Sequence, residues 1–107
     1  MSTESIRPTL SAASPRVIVT RMLYNLKALH LRQSNWRAAE RVLVRLLALR
    51  PSSFVDRRDL AAVSLMLERP GRTLQLLSGS LPGVSEDERD SAAQMVSAAR
   101  RMLAAWN

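Results

Sequence analysis

The chain of 107 residues contains no cysteine, one histidine, one lysine and few aromatic side chains. Without cysteine it forms no disulfide, no thiolate nucleophile and no zinc site that depends on thiolates. His30 alone leaves little for acid–base chemistry near neutral pH. The three glycines do not follow the spacing of a phosphate-binding loop. These absences predict a protein that is not an enzyme and holds neither a cofactor nor a metal.

Long apolar runs are also missing. The most apolar stretch, residues 42–49, is short and contains Arg45, so we expect no membrane-spanning helix. Residues 1–14 are rich in serine and threonine and lack the apolar centre of a secretory signal. We therefore expect a flexible leader over 1–14, a single domain over 15–107 and a cytoplasmic location.

The charge is strongly biased towards one sign. Sixteen basic residues, fifteen of them arginine, stand against nine acidic ones and give a net charge of +7. Such a field favours acidic partners and adds non-specific affinity for nucleic acid. The arginines are spread along the chain, so there is no basic arm. A solvated basic surface with no specific ligand is the simpler interpretation of the same composition.

Apolar residues recur at three- and four-residue spacing, which is typical of amphipathic helices, and no segment alternates as a strand does. In the first helix they are Val19, Met22, Leu23, Leu26, Leu29 and Leu31. Capping residues and prolines divide the chain into five helices, over 15–32, 36–49, 53–68, 70–78 and 86–106. Short turns make neighbouring helices antiparallel. The predicted fold is all-α, a stack of antiparallel helical hairpins.

One acidic cluster and the single histidine could in principle bind a ligand, but we expect both to have structural roles. Glu86, Asp87, Glu88 and Asp90 follow Ser85 in the first turn of the fifth helix, where carboxylates cap and stabilise the helix rather than bind a metal. We expect His30 to be a core or boundary residue with its polar atoms satisfied, not a ligand.

A 34-residue period relates the second hairpin to the first. It aligns Leu26 with Leu60, Leu29 with Val63, Leu31 with Leu65, Ala39 with Thr73 and Leu43 with Leu77. The first unit, residues 20–53, resembles a tetratricopeptide repeat through Leu26, the turn Ser34-Asn35-Trp36, Ala39, Leu43 and Pro51. The second unit, residues 54–87, matches more weakly. The resemblance implies about two repeats followed by a capping helix.

A second resemblance covers residues 21–71. Arg21-Met22-Leu23-Tyr24-Asn25-Leu26-Lys27-Ala28, followed by Leu31-Arg32-Gln33, is similar to the C-terminal repeat region of bacterial transglutaminase-like proteins of the SirB type. The catalytic domain of that family requires Cys, His and Asp, and this chain has no cysteine and only one histidine. The resemblance therefore implies a repeat module without the catalytic domain.

In tetratricopeptide arrays the first helix of each hairpin lines a concave binding face. The resemblance thus implies eight partner-binding residues: Arg21, Tyr24, Asn25, Ala28, Arg32, Arg58, Asp59 and Ala62. The arginines would grip carboxylates, while Asn25 and Tyr24 would hydrogen-bond a peptide. Packing of the hairpin is the alternative role for Tyr24 and Asn25.

The leading prediction is a non-catalytic interaction module that presents an arginine-rich face to another protein. That partner would be acidic, or a separately encoded catalytic subunit. The alternative is a basic helical protein that binds nucleic acid, which would lose affinity steeply with salt.

Overall fold

Five α-helices and no strand are present in the computed structural model over the residues it describes, 14–79 and 81–106. The helices are α1 (Pro15–Arg32), α2 (Trp36–Leu49), α3 (Phe54–Met66), α4 (Pro70–Leu77) and α5 (Glu86–Trp106). The all-α prediction is confirmed. The predicted leader lies outside the described residues except for Ser14. No helix of the described part is long and apolar enough to cross a membrane.

Side-chain caps begin four of the helices where the sequence predicted them. Ser14, Asn35 and Ser53 accept hydrogen bonds from backbone amides of the first turns of α1, α2 and α3. Before α5, the Ser85 hydroxyl accepts from the Glu88 amide at 3.2 Å. The Glu88 carboxylate accepts in turn from the Ser85 amide at 3.0 Å. This reciprocal pair is the predicted capping box.

The turns within the two hairpins have the same backbone geometry. Ser34 and Glu68 both adopt the left-handed conformation, with φ of 55° and 59°. The amide that follows each of them bonds the carbonyl five residues earlier, at 2.9 and 2.8 Å. Such a turn closes a helix, and it ends α3 at Met66, two residues before the predicted end. The 34-residue period is therefore visible in the backbone.

Each helix packs against the next along the chain, and α3 also contacts α5. The core between the hairpins consists of Leu43 and Leu46 from α2 with Leu60 and Val63 from α3, all at most 2% exposed. Ala39, where the sequence required a small residue, is fully buried. Thr73, which stands 34 residues later in the second hairpin, is also fully buried. Consecutive helices thus form the predicted stack of antiparallel hairpins.

Helix α1 buries little of its apolar surface. Among its apolar residues only Leu23 is buried. Four others, spaced three and four residues apart, form an exposed row that we call the α1 seam: Val19, Met22, Leu26 and Leu29. Their exposed fractions lie between 36% and 58%. The periodicity predicted the helix correctly, but this face does not belong to the core.

Candidate binding site on the first hairpin

The net positive charge of the protein lies on its first hairpin. Residues 14–53 carry eight basic side chains and one acidic side chain, Glu40. Residues 54–106 carry seven basic and seven acidic side chains. Helix α1 itself contains no carboxylate. The two halves of the stack therefore differ in electrostatic character, and an anionic ligand is attracted to the first half.

An open cleft of about 510 Å³ lies on this hairpin, between α1 and the end of α2. We call it the arginine cleft, and it is lined by Arg16, Val17, Thr20, Arg21, Tyr24, Asn25 and Arg50. Three of the seven lining residues are arginines and none is acidic. A site of this composition fits a carboxylate or another anion, because guanidinium groups pair with planar anions through two hydrogen bonds.

Hydrogen bonds hold two of the three arginines in place. The Arg16 guanidinium donates to the carbonyl of Leu49 in the last turn of α2. Arg50 donates to the Tyr24 hydroxyl at 3.3 Å and lies 6.0 Å from the centre of its ring. Arg21 is exposed. None of the three forms an ion pair with a carboxylate of the described residues.

A buried polar network supports the floor of the cleft. The Tyr24 hydroxyl donates to Asp56 at 2.7 Å, and the Lys27 ammonium donates to the other oxygen of Asp56 at 3.0 Å. Lys27 also donates to Asp59 at 2.8 Å. Asp56 is 0% exposed. These bonds join α1 to α3 and so fix the position of Tyr24 in the cleft.

The network holds its members in defined protonation states. Burial by itself would raise the pKa of Asp56, but hydrogen bonds from Tyr24 and Lys27 and the charge of Lys27 outweigh burial and lower the pKa. Burial would lower the pKa of Lys27, yet the carboxylates of Asp59 and Asp56 raise it. Burial, together with the bond to Asp56, raises the pKa of Tyr24. At neutral pH the buried Asp56 is therefore a carboxylate that faces the charged ammonium of Lys27.

The eight residues predicted for partner binding do not form one surface. Arg21, Tyr24 and Asn25 line the arginine cleft together. Asp59 and Ala62 line a separate, mainly apolar hollow of about 360 Å³ beside Trp36. Ala28 and Arg32 are exposed elsewhere on α1, and Arg58 is paired with Asp59 at 3.3 Å.

The Tyr24 hydroxyl is engaged with Asp56, as the alternative packing role requires, while the side chain also lines the cleft. Asp59 is likewise held by Lys27 and Arg58. His30 is a partly buried boundary residue, as predicted, but its buried Nδ1 has no hydrogen-bond partner among the described residues, so the expectation that it is satisfied is wrong for this atom.

Sequence reasoning missed Arg16, Arg50 and the Asp56 network. A signal for the network existed: the only lysine of the chain stands 34 residues before Ala61, which is fully buried in the second hairpin. A long basic side chain at a position that packs closely needs a carboxylate nearby. Asp56 and Asp59, one turn apart on α3, are the carboxylates that meet it.

No group of three or more potential metal ligands occurs among the described residues. Among the acidic residues at the start of α5, Glu88 caps the helix through its bonds with Ser85. Comparison with protein-family models, with characterised proteins and with solved structures finds no match to this chain.

Proposed function

We propose that the protein is a non-catalytic, tetratricopeptide-like interaction module of the cytoplasm that binds an acidic segment of a partner protein on its first hairpin. The observation that carries the proposal is the cleft between α1 and α2, which has Arg16, Arg21 and Arg50 and no carboxylate among its described lining residues. A separately encoded catalytic subunit is one such partner, given the resemblance of residues 21–71 to the repeat region of transglutaminase-like proteins.

Charge and rigidity both support this function. Because the whole net charge lies on residues 14–53, an acidic segment is steered to this hairpin before it makes any contact. Arg16 and Arg50 are already held by hydrogen bonds to Leu49 and Tyr24, so little side-chain entropy is lost when a carboxylate arrives. The carboxylate can then bridge guanidinium groups that have no charged partner among the described residues.

The experiment measures the affinity of a short, fluorescein-labelled polyglutamate peptide by fluorescence anisotropy. Arg21→Glu should weaken binding at least about tenfold, because it replaces an attraction within the cleft by a repulsion. The control is Arg100→Glu, which makes the same charge change at an exposed position of α5. Equal losses from the two variants, or no binding by the wild type, would contradict the proposal.

A second candidate function rests on a different set of arginines. Arg37, Arg41 and Arg45 follow one another at four-residue spacing along the exposed side of α2. Arg41 and Arg45 share a shallow cleft with Arg72 of α4. We call Arg37, Arg41, Arg45 and Arg72 the arginine ridge. A row of exposed guanidinium groups suits the phosphate backbone of a nucleic acid.

A further inference from the structure

The α1 seam is exposed at positions that are buried in the second hairpin. Leu26 and Leu29 are 40% and 36% exposed, whereas Leu60 and Val63, 34 residues later, are 2% and 1% exposed. The difference arises because α2 packs over Leu60 and Val63, and no described helix packs over the α1 seam. The α1 seam therefore corresponds to the face of α3 that α2 covers.

The spacing of the seam suits a helix rather than an extended peptide. Val19, Met22, Leu26 and Leu29 alternate steps of three and four residues, which keeps them in one row along the helix. The row extends along most of α1, which is about 27 Å long at the usual rise per residue. A second amphipathic helix can place its own apolar row between these side chains.

The charges around the seam define the chemistry of that helix. Arg16 and Arg32 lie towards opposite ends of α1, and α1 has no acidic side chain. The hairpin behind the seam carries the net positive charge of the protein. Face-to-face pairing of the seam with the seam of a second copy would bring two such basic hairpins together, which is unfavourable. A helix with carboxylates beside its apolar row meets positive charge instead.

We infer that the α1 seam is the docking face for an acidic amphipathic helix of the partner protein. The helix lies over Val19, Met22, Leu26 and Leu29, in the position that α2 has over α3. Its carboxylates meet the basic side chains of the first hairpin. The inference rests on the proposed function and adds a second contact to it. None of the four seam residues lines the cleft, so the helix is a segment of the partner other than the one that the cleft binds.

The test compares two synthetic, fluorescein-labelled peptides of the same composition, built from leucine, glutamate and alanine. In the first, leucines at steps of three and four residues form one row with glutamates beside it. In the second, the same residues are scrambled so that no row exists. Wild-type protein should bind the first peptide at least about tenfold more tightly, because only that peptide buries its leucines on the seam.

Met22→Glu places a charge in the middle of the seam, at a residue that is 58% exposed, and should therefore leave the fold intact. It should remove the preference for the first peptide. The control is Val44→Glu, the same charge change at a half-exposed apolar residue on α2 of the same hairpin. Val44→Glu should keep the preference, and circular dichroism should show equal helix content in all proteins.

Each remaining outcome overturns a defined claim. If the peptides bind equally and Arg21→Glu weakens both, acidic binding stands but docking of a helix on the seam is wrong. If neither peptide binds, both proposals are wrong. If sedimentation of the protein alone shows a dimer that Met22→Glu dissociates, the seam belongs to a second copy, and the inference is likewise overturned.

Discussion

Asp56 is the residue whose burial most constrains the first hairpin. A carboxylate removed from water is costly unless charged and polar groups compensate it. Here Tyr24 donates a hydrogen bond to one carboxylate oxygen of Asp56, and Lys27 donates one to the other. Asp59 shares the ammonium of Lys27 and is itself close to Arg58. The position of Tyr24 at the arginine cleft therefore depends on a charge that is hidden from any ligand.

The free energy of unfolding should depend on the ionised form of Asp56. Its pKa is lowered in the folded state, so its contribution is complete above the unfolded value of about 3.9 and is lost as the pH falls through the lower, folded value. Asp56→Asn should cost about 2–3 kcal/mol at pH 7, because it leaves the network without its central charge. Urea denaturation at neutral pH and near pH 3 measures this contribution.

The difference between wild type and Asp56→Asn should shrink at the acidic pH, because Asp56 binds a proton in the unfolded chain there while its lowered pKa resists protonation in the folded one. Asp90→Asn neutralises an exposed carboxylate of α5 and should change the free energy of unfolding by no more than about 0.5 kcal/mol. A difference for Asp56→Asn that is the same at both pH values would show that the charge of Asp56 does not stabilise the fold.

At the scale of single elements, the two matching turns show how the repeat is specified. Ser34 and Glu68 adopt positive φ without being glycine, a conformation that costs free energy for a residue with a side chain. The turn nevertheless satisfies carbonyls at the ends of α1 and α3. The second hairpin then begins α4 at Pro70 without any side-chain cap.

Glu68→Gly should raise the free energy of unfolding by roughly 0.5–1 kcal/mol, because glycine reaches positive φ without steric strain. Glu68 is exposed, so no packing is lost. Thermal or urea denaturation monitored by circular dichroism measures the gain. Gln75→Gly, at an exposed position inside α4, should have the opposite effect and destabilise by about 1 kcal/mol. A loss of stability in Glu68→Gly would contradict the assigned strain.

Local signals explain why the helices could be predicted and why part of the site could not. The caps at Ser14, Asn35, Ser53 and Ser85 act over three residues of sequence, so the pattern alone located the helix starts. Burial of an amphipathic face depends instead on which helix packs over it. The α1 seam has the same periodicity as a core face, and only the arrangement of the stack shows that it is exposed.

Contacts that are distant in sequence limited the prediction of the cleft in the same way. Arg21, Tyr24 and Asn25 share one helix, and helical spacing brings them together. Arg50 reaches the cleft from the end of α2, and Asp56 reaches Tyr24 from α3 across 32 residues. The resemblance to a repeat placed the first helix at the binding face but held no information on these two partners.

For the whole molecule, the distribution of charge distinguishes the two candidate functions. A polyanion of any sequence is attracted to a protein of net charge +7. Binding along the arginine ridge differs from such general attraction because it depends on particular side chains of α2. The number of phosphates that the protein neutralises can be counted from the dependence of affinity on salt.

The arginine ridge predicts a specific change in that dependence for a single-stranded RNA. The double variant Arg41→Gln with Arg45→Gln should reduce the slope of log affinity against log salt by about 1.4, the value for two lost phosphate contacts. Arg100→Gln with Arg101→Gln removes the same charge from α5, whose own carboxylates already balance it, and should leave the slope unchanged. Fluorescence anisotropy over a series of salt concentrations measures both slopes. Equal reductions would mean that RNA responds only to net charge, and the arginine ridge would then give no support to nucleic-acid binding.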